Sequence, residues 1–220
     1  MEQLSGQAPA PGTPTSAPPA GASRSSRRRE REREELRTRL LAAAREIAAE
    51  DGWQAVTIRR IADRLEYSSP ILYQHFASKD DLLFELVNVG FRDVAERVRT
   101  VASTPADRAL TALATAYWDF AFSAPELYQA MHGLGGVPFG TAATPHEARA
   151  AFRAVREELL RQADALGREL ADPDGAVDTT WAYLHGFVSL TMAGRIAGGR
   201  ERGRRLMLQA LPPLFDSLLR

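Results

Sequence analysis

The stretch Thr57-Ile-Arg-Arg-Ile-Ala-Asp-Arg-Leu-Glu-Tyr-Ser-Ser-Pro-Ile-Leu-Tyr-Gln-His-Phe-Ala-Ser-Lys-Asp-Asp-Leu82 decides how this chain is read. Thr57 is a good N-cap, and Ile58, Ile61, Ala62 and Leu65 recur at the spacing of one helix face. Glu66-Tyr67 forms a turn, Ser68 or Ser69 caps the next helix, and Pro70 falls near its first turn. Leu72 and Phe76, four apart, face inward and send Tyr73, Gln74 and His75 largely outward. Ser78 followed by Asp81 resembles a capping box opening another helix. Two short helices around a tight turn, the second presenting hydrogen-bonding groups, meet the requirements of a helix-turn-helix over about residues 57–76.

Working outward, Leu36, Leu40, Ala43, Ala44 and Ile47 keep helical spacing up to the stop at Asp51-Gly52. Residues 1–26 are Ala, Pro, Gly, Ser and Thr with almost no large apolar side chain, a composition that predicts a disordered tail. Downstream, helices are predicted over 79–100, 106–123, 125–132, 146–171, 174–198 and 201–219, with Pro105 and Pro125 at tolerated first-turn positions. Residues 134–145 form the longest internal loop, and no sustained alternating pattern marks a strand. The expected fold class is all-α.

The run at 57–82, with the preceding RLLAAAREIAAEDGWQAV at 39–56, resembles the DNA-binding region of the TetR/AcrR family of bacterial transcription regulators. Ala44, Gly52, Thr57, Ile61, Ala62, Ser68, Leu72, Tyr73, His75, Phe76, Lys79 and Leu82 carry the match. Glu66 stands where the family usually has a turn glycine, and Gln74 where a second Tyr or an Arg is common. The resemblance implies a three-helix reader in residues 27–94 and a helical ligand-binding and dimerisation domain in 95–220. It implies phosphate contacts from Tyr73, His75 and Lys79, and from Thr57 at its helix N-terminus. Ser69, Pro70 and Gln74 would face base edges, with Ser68 and Arg59 beside them. Arg27–Arg29 either reach phosphates or a minor groove, or only solubilise the chain. The Trp-Ala-Tyr-Leu-His-Gly segment at 181–186 resembles the WHG-type C-terminal domain of one subgroup.

In the second half, Leu110, Leu113, Ala114, Tyr117, Phe120 and Ala121 form one stripe, and Trp118 with Phe122 a second, so this helix is central. Tyr117, Trp118, Phe122, Tyr128, Met131, His132, Trp181 and His185 are soft or aromatic groups with few polar handles. They suit an apolar or aromatic effector, with His185 or Tyr117 as its hydrogen-bond partner. Met207, Leu211, Leu214, Phe215 and Leu218 stripe the last helix, and in the family the last two helices pair with their counterparts in a homodimer.

Composition narrows the function classes. No cysteine is present among 220 residues, which removes thiolate metal sites and a Cys nucleophile. The four histidines lack the spacing of metal ligands, and neither a phosphate loop nor a nucleophile elbow occurs, so no cofactor, metal or enzyme activity is expected. No apolar run reaches transmembrane length and no secretory leader is evident, so a cytoplasmic protein is expected. The chain carries 28 Lys+Arg against 28 Asp+Glu. The expected function is a ligand-responsive repressor that binds a palindromic operator on double-stranded DNA as a dimer. A helical ligand-binding or adaptor protein that no longer reads DNA is the alternative, against which the exposed Tyr73–His75 and Lys79 argue.

Overall fold

A computed structural model describes residues 24–133 and 141–220. The chain divides into two compact units, Met1–Arg37 and Thr38–Arg220. The described residues form helices α1 (Arg24–Asp51), α2 (Ile58–Leu65), α3 (Ser69–Tyr73), α4 (Lys79–Val101), α5 (Ala106–Ser123), α6 (Pro125–Gly133), α7 (His146–Ala165), α8 (Pro173–Met192) and α9 (Gly199–Ser217). Among them no strand occurs, and the fold is all-α, as the periodicity indicates.

Several boundaries differ from those read in the sequence. Helix α1 starts at Arg24, so residues 24–26 are helical rather than part of a tail, and Arg27–Arg29 lie in that helix. The rest of the expected tail, and residues 134–140 of the expected loop, lie outside the described residues. Helix α3 ends at Tyr73 instead of residue 76. Helix α7 ends at Ala165, because Gly167 turns left-handed at φ 64° and lets the Arg168 N–H reach back to the Ala163 carbonyl (3.0 Å). Helix α8 ends at Met192 by the same device, with Gly194 at φ 67° and the Arg195 N–H on the Leu190 carbonyl (2.8 Å).

Within the second unit, α4 is the spine. It begins beside the short helices and packs on α5, α6 and α7, while α8 packs on α7 and α9 and α5 on α9. Its buried face runs from Leu82 and Leu86 through Phe91 to Val98 and Val101. A continuous apolar face of this length gives the chain no seam at residue 94, so the expected reader and regulatory halves share one compact unit from Thr38 onward.

Candidate nucleic-acid interface and cavity

The Thr57 hydroxyl accepts the Arg60 backbone N–H (3.1 Å) and starts α2, whose Ile58, Ile61 and Ala62 are buried. Glu66 then stands in the left-handed region at φ 58°, and the Tyr67 N–H closes the helix on the Ala62 carbonyl (3.0 Å). The backbone thus adopts here a conformation that suits the glycine usual in the family. Ser68 caps α3 by its backbone, without a side-chain bond, and Pro70 sits in the first turn. Leu72 and Phe76 are fully buried, while Tyr73 is 56% exposed and Gln74 is exposed. Thr57, Arg59, Ser68 and Pro70 are exposed as well, whereas Ser69 and His75 are half-buried. Pro70 and Tyr73 on the short helix, with Ser68 and Gln74 at its two caps, are therefore exposed together beside the buried Leu72 and Phe76.

The N-terminus of α4 is held by the Ser78 hydroxyl, which accepts the Asp81 N–H (3.1 Å). The Asp81 carboxylate reaches back to the Ala77 N–H (3.0 Å), one residue ahead of the cap. Lys79 Nζ donates to the Trp53 carbonyl (3.2 Å), a bond that the sequence reading missed. This uses one of its three protons and leaves two donors on a half-buried ammonium. Arg60 and Arg64 pair with Asp51 and Glu50 at the end of α1, and Arg64 holds the Glu50 carboxyl below its ordinary range.

A cavity of about 690 Å³ opens between α4, α6, α7 and α8. Of the eight residues expected to bind an effector, Met131, His132 and Trp181 line it. Phe91, Ala148, Phe152 and Val177 complete an apolar wall, with Thr141, Thr144, Arg149 and Asp178 as the polar members. Each of these eight reads in sequence as ordinary core or surface. Tyr117, Tyr128 and His185 are not among its lining residues: Tyr117 and Tyr128 pack edge to face (6.0 Å), and the Tyr128 hydroxyl is 2.6 Å from His185 Nδ1. Trp118 and Phe122 do not line the cavity. Trp118 is fully buried against Phe122 (4.5 Å), and the Arg200 guanidinium covers that ring from α9 (4.5 Å). They pack α5 on α9, which is what an apolar side chain on the second stripe of a central helix does.

Burial sets the titration of this half. It pushes His132 down to about 4, and the neighbouring His185 adds to the effect. His185 is lowered by burial too, and the Tyr117 phenol is raised well above its usual value. Both imidazoles are therefore neutral near pH 7, and the cavity wall carries no buried charge from them.

Helix α6, which brings Met131 and His132 to the cavity, is tied at its first turn to the residues around the short helices. Arg45 donates from Nε and Nη2 to Glu126 Oε1 (3.0 and 2.8 Å). Trp53 Nε1 donates to the Glu126 carbonyl (3.0 Å), and the Trp53 carbonyl is the one that Lys79 caps. A hydrogen-bonded path thus runs from α6 through Trp53 to the start of α4.

Two family descriptions match the chain, "Bacterial regulatory proteins, tetR family" over residues 40–86 and "Tetracyclin repressor-like, C-terminal domain" over residues 110–211. Together they take in more than half of it. The chain is 36% identical over 104 residues to the HTH-type transcriptional activator FasR of Mycolicibacterium smegmatis, covering 46% of this chain and 47% of that protein. It is 35% identical over 98 residues to the HTH-type transcriptional repressor KstR2 of Rhodococcus jostii, covering 42% and 48%. The chain thus spans about half the length of these two curated relatives. A solved protein of unknown function from Rhodococcus sp. RHA1 shares the fold at TM-score 0.71 and 24% identity, over 83% of this chain and 95% of that one. These named relatives are transcription regulators, not enzymes. A helix-turn-helix with an exposed face, followed by a helical domain of the matching type, places this chain in the tetR family of bacterial regulatory proteins.

Proposed function

We propose that this regulator is a ligand-responsive repressor that grips a palindromic operator as a homodimer in the cytoplasm, with residues 27–94 as reader and 95–220 as regulatory half. Tyr73, His75, Lys79 and Thr57 hold phosphates, and Ser68, Ser69, Pro70, Gln74 and Arg59 approach base edges. The exposure of Tyr73 and Gln74 beside fully buried Leu72 and Phe76 supports this assignment. The helices α8 and α9 meet their copies through a face of small and apolar side chains. Ala182, Leu190 (48% exposed) and Ala210 are exposed there, with Gly186 and Leu214 half-buried. Two-fold pairing would set the recognition helices about 34–36 Å apart, or a spacing that adjusts to it.

The single observation that carries ligand response is the path from the cavity wall to the reader: α6 holds His132 at one end and, at the other, the Glu126 that Arg45 and Trp53 grip. An effector acts only through the difference in its affinity for the DNA-fitting and DNA-misfitting arrangements. Moving most of the population needs several kcal/mol of that difference. The repressor sign follows the relative KstR2, a transcriptional repressor, whereas the relative FasR is a transcriptional activator. The test is a gel shift of the full chain on its own upstream DNA with a panel of apolar ring compounds. Release of DNA by compounds that also raise Tm supports the reading. A compound that stabilises the fold through the cavity without changing operator affinity refutes ligand control.

A further inference from the structure

Of the described polar residues that line the cavity, Thr144 is buried with its hydroxyl accepting the Thr141 N–H (3.1 Å), while His132 is half-buried and its chemistry is fixed by a backbone atom. His132 Nδ1 lies 3.0 Å from the Tyr128 carbonyl oxygen. A carbonyl has no proton to give, so Nδ1 is the donor. The remaining nitrogen of a neutral ring, Nε2, then carries only a lone pair. The ring is also held in place. His185 stacks on it at 4.5 Å and 25°, and Tyr128 packs at 4.4 Å and 34°. Burial keeps it neutral at physiological pH, so Nε2 does not become a donor there.

The protein leaves this lone pair under-used. The Tyr117 hydroxyl is 3.5 Å from Nε2, well beyond the roughly 2.7–2.8 Å of a good hydroxyl hydrogen bond. His185, the histidine favoured by sequence, is engaged elsewhere: its ring nitrogens meet the Tyr128 hydroxyl at 2.6 Å and the Ser189 hydroxyl at 3.2 Å. The two charged residues of the lining, Arg149 and Asp178, are exposed, where water competes for them. Phe91, Met131, Phe152, Val177 and Trp181 supply apolar surface around the imidazole.

We propose that His132 Nε2 is the acceptor that selects the effector, so that the cavity takes an apolar, ring-bearing molecule carrying a hydroxyl or N–H donor over its donor-free isostere. This rests on the reading of the cavity as the effector site. The ligand's donor replaces the long Tyr117 contact with a full-length hydrogen bond, while the rest of the molecule packs on the apolar wall. A volume of about 690 Å³ lies inside the usual range of roughly 300–1,000 Å³ for sites that take drug-sized molecules.

The experiment uses 2-naphthol and 2-methylnaphthalene, which differ only in hydroxyl against methyl, with the full chain in equilibrium dialysis at pH 7.5. The readout is the ratio of their Kd values, which cancels the apolar contribution common to both. In His132→Phe, the methylnaphthalene-to-naphthol Kd ratio should fall by about ten-fold, the worth of one hydrogen bond in a partly dry site. His132→Gln, which keeps an acceptor at a similar reach, should retain most of the ratio. Tyr117→Phe removes the resident donor and should raise the ratio roughly two- to five-fold; it tests the same claim should His132→Phe fail to fold. If both probes bind and the ratio is unmoved by His132→Phe and Tyr117→Phe, His132 is not the selector, and the cavity reading stands without it. If neither probe binds the wild-type chain, the inference falls together with the cavity as a site for such molecules.

Discussion

Replacing Glu66 by glycine should make this protein more stable, although it removes a side chain. Glu66 has φ 58° and ψ 35° at the C-terminal cap of α2, where the helix closes through the Tyr67 N–H on the Ala62 carbonyl. A residue with a Cβ pays on the order of 1–2 kcal/mol to sit there, from the clash of Cβ with its own backbone. Glycine does not pay it, but loses about 0.5–1 kcal/mol more chain entropy on folding. The difference favours glycine by about 0.5–1 kcal/mol. Urea unfolding should then show a higher midpoint at unchanged slope, and Tm should rise by about 1–4 °C for a chain of this size. Glu66→Ala is the control, because alanine keeps the Cβ and removes only the carboxylate. If the gain came from deleting a negative charge, alanine would reproduce it. A glycine variant no more stable than the alanine variant would refute the strain argument.

Three further outcomes follow from the packing. His132 titrates at about 4 when folded against 6.5 in a model peptide, so between these values the unfolded chain binds a proton that the folded chain refuses. Stability is therefore full above about pH 6.5 and falls toward pH 4, by about 3 kcal/mol for this residue; His132→Phe should flatten that part of a pH series of urea melts, and a profile identical to wild type would contradict it. At Gly203 on α9 an added Cβ would lie 3.2 Å from Trp118 Cη2 and press into the Thr191 side chain, so Gly203→Ala should cost about 1–3 kcal/mol in thermal unfolding, and a neutral result would show that α5, α8 and α9 yield there. Leu214→Glu, on the half-buried face of α9, should give monomers by sedimentation and abolish operator binding together; a monomer that still binds a full palindrome tightly would remove the dimer from the account.

The helix-turn-helix is legible in the sequence because its signals are local. Thr57, Pro70 and Ser78 each mark a helix start within a few residues of the apolar side chains they serve, and Leu72 on α3 and Phe76 in the turn after it are the two apolar residues of that stretch that are fully buried. The cavity was only partly legible because it belongs to no single helix. Phe91 and Phe152 line it while Trp118 and Phe122 do not, yet all four are aromatics on helices with apolar stripes. Which stripe meets a void depends on how four helices cross. The ties at Glu126 were hidden for a second reason. Arg45 is 81 positions away, and in a chain whose cations are all arginine but for Lys79, one more arginine carries no signal. The ends of α7 and α8 were overrun because the apolar spacing continues past Gly167 and Gly194, whose left-handed backbone decides the stop.

The most direct test of the central claim is a quantitative footprint of the full chain on its own upstream DNA, with Tyr73→Ala and Gln74→Ala run beside it. The account predicts two protected half-sites related by two-fold symmetry, with centres one helical turn or a multiple of it apart. Tyr73→Ala should weaken binding to all sequences alike, and Gln74→Ala should relax preference at one base pair per half-site by about 1–3 kcal/mol. Protection without sequence preference, or affinities and preferences unchanged in both variants, would contradict the assignment of α3 as the element that reads DNA.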